Sequence, residues 1–118
     1  MTRHDTHAIT ITPSPGRVTV TFAGRTLVDT TRALRLAEGS MRPVLYLPRE
    51  DADMSALTAT GHHTHCPYKG EASYFSIQAD GRTAENAVWS YEQPFPAVAE
   101  IAGHLAFYPD RVDAIQED

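Results

Sequence analysis

From Ala8 onward, apolar residues recur at every second position in short runs, and proline, glycine or polar turn residues break each run. No other feature constrains the fold as much. A two-residue period puts alternate side chains on opposite faces of a strand and cannot line one face of a helix. Ile9 and Ile11 alternate with threonines until Pro13-Ser14-Pro15-Gly16 interrupts them. Residues 17–22 alternate again through Val18, Val20 and Phe22, Ala23-Gly24-Arg25 turns the chain, and residues 26–30 continue it, so the first thirty residues read as a meander.

The rest of the chain repeats the pattern. Residues 31–38 suit a helical face through Ala33, Leu34, Leu36 and Ala37 or a strand through Leu34 and Leu36, and the neighbouring strands favour the strand. Val44-Leu45-Tyr46-Leu47 is an apolar strand closed by Pro48. Residues 49–57 make the best short helix or helical turn, with acidic residues at its start, where the helix dipole favours them. Residues 71–78 form a strand with Ser73, Phe75 and Ile77 on one face and Ala72, Tyr74 and Ser76 on the other. Asp80-Gly81 signals a hairpin. The return strand is irregular around residues 83–86, resumes at Val88-Trp89-Ser90-Tyr91 and stops at Pro94 and Pro96. One helical turn over residues 96–102 and a last strand over residues 104–108 complete the expectation. The predicted class is all-β, with a single domain over residues 1–118 and an ordered core from about residue 8 to 113 between short tails.

Composition bounds the function. A chain of 118 residues can bury a core without staples. One cysteine excludes an internal disulfide and paired Cys-x-x-Cys zinc knuckles, which fits a reducing, cytoplasmic setting. Residues 1–7 carry no signal-type apolar core, and no run approaches the roughly 20 apolar residues of a membrane span, so a soluble protein without membrane contact is expected. A net charge of −5 with no basic stripe disfavours nucleic acid as a partner.

Within this frame, His62-His63-Thr64-His65-Cys66-Pro67-Tyr68-Lys69-Gly70 gathers three of the six histidines, the only cysteine and the only lysine of an otherwise arginine-rich chain. Pro67 forces Cys66 to be extended and presets a turn, and Gly70 tolerates a positive φ beyond it, so strand, tight turn, strand is predicted. His63 and His65 then share one face, and His62, Thr64 and Cys66 the other. Four chemistries compete for this stretch. His63 and His65 with Glu71, Glu38 or His104 would make a mononuclear metal site, a weak candidate set, and no cofactor is predicted. Cys66 beside Lys69 would make a reactive thiol or an enzyme, although strand neighbours face apart and His65 is poorly placed as a base. A ligand pocket would take its walls from Tyr46, Tyr68, Tyr74, Trp89, Tyr91 and Phe107, its cations from Lys69 and Arg35, and its acceptors from Glu38 and Glu85. Binding of a small anionic or planar molecule there, with Lys69 as anchor, is the favoured reading. Exposed strand edges would instead make an interaction module, with a homodimer among its forms.

The run Thr64-His65-Cys66-Pro67-Tyr68-Lys69-Gly70, with Tyr74, Ala87-Val88-Trp89-Ser90-Tyr91, Pro94 and Ala106-Phe107-Tyr108, resembles the family catalogued as domain of unknown function 427. Thr31-Arg32-Ala33-Leu34-Arg35-Leu36, Glu38, Pro43-Val44 and Tyr46-Leu47-Pro48 fit the same pattern, and the resemblance spans roughly residues 16–113. It implies a β-tent-like fold of two antiparallel sheets pinned near one edge, with one or two helical turns. Relatives of that fold hold zinc between cysteine pairs that this chain lacks. The family is sometimes labelled nucleotidyltransferase-like, but the chain shows neither a phosphate-binding glycine motif nor a paired-carboxylate metal motif.

Overall fold

The computed structural model describes residues 8–118, and the expected N-terminal tail over residues 1–7 lies outside them. The chain forms ten strands in the order β1 (Ile9–Pro13), β2 (Val18–Phe22), β3 (Arg25–Thr30), β4 (Leu34–Glu38), β5 (Val44–Tyr46), β6 (Leu57–Cys66), β7 (Gly70–Ala79), β8 (Arg82–Ser90), β9 (Ala106–Phe107) and β10 (Ala114–Glu117). The fold is all-β, as the two-residue period requires. Its strands pair antiparallel in three sheets, ordered β1-β4-β5, β10-β2-β3 and β6-β7-β8-β9, where two were expected. The β1-β4-β5 sheet meets the four-stranded sheet through a single bridge, Leu47 to Leu105, because Pro48 lacks the N–H needed to carry β5 further.

The four-stranded sheet is covered on both faces, and strand alternation sorts its residues between two clusters. Phe75, Ile77, Val88 and Phe107 pack with Val18, Val20, Phe22, Leu27 and Val28 of the β2-β3 hairpin. On the opposite face, Ala72, Tyr74, Trp89 and Ala106 pack with Leu36 and Tyr46 of the β1-β4-β5 sheet. Two hairpins have a positive φ at both central residues, Ala23-Gly24 (53° and 76°) and Asp80-Gly81 (49° and 80°), the geometry that matches strand twist in two-residue turns. The irregularity expected near residues 83–86 is a bulge in β8, with Asn86 at a φ of 49° and its N–H donating to Ser76 Oγ.

The short helix or helical turn expected over residues 49–57 is realised as two 3-10 turns, Arg49–Asp51 and Met54–Ala56, because Ala52 between them is extended and bridges to Val28. One expectation needs correction. The strand expected over residues 104–108 shrinks to Ala106–Phe107, and the chain closes instead with β10, in residues expected as a short tail. β10 pairs with β2 from Ala114 to Glu117, and Ile115 packs against the first cluster.

Candidate functional site

The central stretch folds as its backbone chemistry dictates. Cys66 ends β6, Gly70 opens β7 at a φ of 117°, and the two residues face each other across the ladder with a turn over residues 67–69 between them. The Lys69 carbonyl accepts the Phe95 N–H at 2.9 Å, so the turn is fixed from outside as well. Alternation then distributes the side chains. His62 meets the Tyr74 ring at 4.5 Å, Thr64 Oγ1 lies 2.9 Å from Tyr74 Oη, and Cys66 packs against the second cluster. His63 and His65 line a shallow concavity on the other face.

The Lys69 side chain does not reach into solvent but crosses to the end of β4, where Nζ donates to Glu38 Oε1 at 2.7 Å. Both side chains are close to nine-tenths buried, with 11% and 12% exposure. This pair stands at one end of a cavity of ≈ 240 Å³ between the β1-β4-β5 sheet and the four-stranded sheet. Tyr46, Tyr74, Trp89, Tyr91 and Tyr108 border it, together with Leu36, Val44 and the loop residues Met41 and Arg42. The rings brace one another: Trp89 Nε1 donates to Tyr46 Oη at 3.3 Å, and Trp89 lies 4.6 Å from the Tyr108 ring.

The hydroxyls around the cavity are held neutral. Burial pushes Tyr46 up to about 12, against the opposing Trp89 hydrogen bond. Burial, then the hydrogen bond with Tyr74, pushes Tyr108 up to about 12. Tyr91 is raised above the ordinary phenol range, first by burial and then by its neighbour Tyr46. At all three, desolvation of the phenolate is the largest cause, and at Tyr108 the nearby Arg111 guanidinium opposes it without cancelling it.

The structure brings together Glu38, Tyr46, Lys69, Tyr74 and Trp89 from the expected set, and parts them from Tyr68 and Arg35. Tyr68 lies in the turn, is 42% exposed and is not among the residues that border the cavity. Arg35 alternates onto the other side of β4 from Leu36 and is held by Glu117 at 2.6 Å. Phe107 faces the first cluster, and the Glu85 carbonyl is capped by Arg111. Cys66 is a free, half-buried thiol, and no hydrogen bond to it is formed among the described residues. No group of three His, Cys, Asp or Glu among the described residues is arranged to hold a metal; Glu38 is taken by Lys69, and His104 Nδ1 sits 3.1 Å from the Ala102 carbonyl. Sequence reasoning overlooked Tyr108, Met41 and Arg42. Continuing the alternation of Ala106 and Phe107 by one residue would have found Tyr108; nothing in the sequence marks the loop.

Fold and site together define an all-β domain with an aromatic-walled cavity closed at one end by a buried ion pair. The chain belongs to the family described as Domain of unknown function (DUF427), whose model matches residues 10–118. No curated protein sequence matches it at a significant level.

Proposed function

We propose that the protein binds a small planar molecule in the cavity between Tyr46, Tyr74, Trp89 and Tyr108. The observation that carries this reading is Tyr91. Its side chain is 6% exposed, yet its hydroxyl has no hydrogen-bonding partner among the described residues, and Tyr91 borders the cavity. No buried side-chain oxygen or nitrogen among the described residues lacks a partner, so the Tyr91 hydroxyl opens on the cavity, where a ligand group would take up its hydrogen bond. The Lys69–Glu38 pair supports the same reading. A buried ion pair contributes little net stability after desolvation, but it offers a ligand a donor and an acceptor fixed in place. Flat apolar walls with a few convergent polar groups are the usual make-up of a small-molecule site.

Thermal denaturation with benzamide, a planar probe with one donor and one acceptor group, tests the proposal. A native-state binder at one hundred times its Kd stabilises by about 2.7 kcal/mol and raises the melting temperature by several degrees. The rise should shrink in Tyr91→Phe. No rise with benzamide or with a panel of other planar heteroaromatic amides would overturn the reading.

A further inference from the structure

We infer that the ligand also carries an anionic group, a carboxylate or a phosphate, and that Arg42 binds it where this cavity meets a second concavity. The inference rests on the binding reading above and adds the charge of the ligand and the residue that takes it.

Lys69 is not the free cation its singularity suggests, since Glu38 already neutralises it. Nine arginines occur in the chain, and Arg3 lies outside the described residues. Of the other eight, Arg17, Arg25, Arg32, Arg35, Arg49 and Arg82 are each paired with a carboxylate. Arg111 donates to two backbone carbonyls. Arg42 alone has no hydrogen bond or ion pair among the described residues.

Its position gives that freedom a use. A second concavity of ≈ 460 Å³ lies beside the first, and Arg42, Val44 and Trp89 border both. The charged residues on the first are Glu38, Lys69 and Arg42, and those on the second are Arg35, Glu117 and Arg42. Lys69 cancels Glu38 and Arg35 cancels Glu117, so each space is left with one uncompensated charge, and it is the same guanidinium. A planar ring seated against Trp89 would bring a charged substituent within reach of a planar, bidentate donor suited to carboxylate or phosphate.

Trp89 is the only tryptophan of the chain and borders both spaces, so its emission reports binding at this junction. Benzoate, phenyl phosphate and the neutral isostere benzamide are titrated against wild type, Arg42→Gln and Arg42→Glu. Arg42 is exposed and unpartnered, so neither substitution threatens the fold, and melting temperatures verify this. Wild type should bind both anions about tenfold more tightly than benzamide, the range of one charge-assisted hydrogen bond. Arg42→Gln should erase that advantage, Arg42→Glu should reverse it, and benzamide should bind all three alike. An anion advantage that is absent from wild type, or that survives in Arg42→Gln, overturns the inference while benzamide binding leaves the planar reading standing. If no probe, charged or neutral, changes the emission or the melting temperature, the planar reading fails and the inference with it.

Discussion

Lys69 and Glu38, thirty-one residues apart in sequence, meet at 2.7 Å and tie the turn between β6 and β7 to the end of β4. The contact joins two sheets that otherwise share one backbone bridge at the β5 edge, Leu47 to Leu105. It therefore sets the width of the cavity at one end, while the Trp89–Tyr46 hydrogen bond sets it further in.

Breaking this pair from one side should cost more than replacing it from both. Lys69→Met strands a buried carboxylate and Glu38→Leu strands a buried ammonium, each at about 3 kcal/mol. The double variant Lys69→Met with Glu38→Leu removes both charges and restores apolar packing. Its loss should be smaller than either single loss, giving a coupling of roughly 3 kcal/mol or more in a urea-denaturation cycle. Additive losses would mean that the two groups are solvated independently.

Gly70→Ala should destabilise through the backbone rather than through crowding. A Cβ at position 70 would meet Pro94 Cα at 3.5 Å and Gln93 O at 3.6 Å, both ordinary contacts. The φ of 117°, however, lies in a region that L side chains avoid, at a cost of about 1–3 kcal/mol. Because the Lys69 carbonyl holds the Phe95 N–H, strain there should also loosen residues 93–95, visible as faster amide exchange at Phe95. A loss below about 0.5 kcal/mol would contradict the turn geometry.

Alkaline titration should separate the cavity tyrosines from a free phenol. Tyr46 and Tyr108 are pushed up to about 12, and Tyr91 is raised as well. A folded-state pKa above the unfolded value of about 10 means that the unfolded chain gives up its protons first. The stabilisation is therefore fully present below pH 10 and is lost as pH rises through about 12. The ultraviolet phenolate signal of Tyr46, Tyr91 and Tyr108, taken as the difference from their Phe variants, should appear late and together with loss of the fold. Titration of these three near pH 10 with the fold intact would refute the burial of this cluster.

Local backbone chemistry was legible in the sequence, and long-range pairing was not. Cys66-Pro67 and Gly70 announce a turn, and Asp80-Gly81 announces a hairpin, because proline, glycine and short polar residues restrict φ by themselves. The two faces of β7 were legible for the same reason. The partner of Lys69 was not, since nothing near position 69 says which of fifteen acidic residues will cross a sheet to reach it. Tyr68 looked equivalent to Tyr74 as an aromatic neighbour, and only the register of the turn decides that one faces out and the other in. Arg42 carries no local signal at all. Its distinction is that seven other described arginines found partners.

The C-terminal strand lies in residues expected as a tail, because its partner β2 is about ninety residues away in the chain, and its pairing gives the last prediction. β10 places Ile115 opposite Val20, Asp113 Oδ2 accepts the Ala23 N–H at 2.7 Å, and the Asp118 N–H donates to the Arg17 carbonyl at 2.9 Å. This brings the Asp118 carbonyl over Gly16, where any Cβ would overlap it. Gly16→Ala should therefore cost about 1–3 kcal/mol in the full chain, the range for forcing atoms into filled space. Truncation after Val112 removes the strand and exposes the half-buried Ile115 contact surface on Val20, and it should lower stability by several kcal/mol. In the truncated chain the clash is gone, so Gly16→Ala should be neutral or slightly stabilising by restricting the unfolded chain. The two changes are then strongly non-additive, which urea denaturation of the four proteins measures directly. If Gly16→Ala costs the same with and without residues 113–118, β10 does not pack over Gly16.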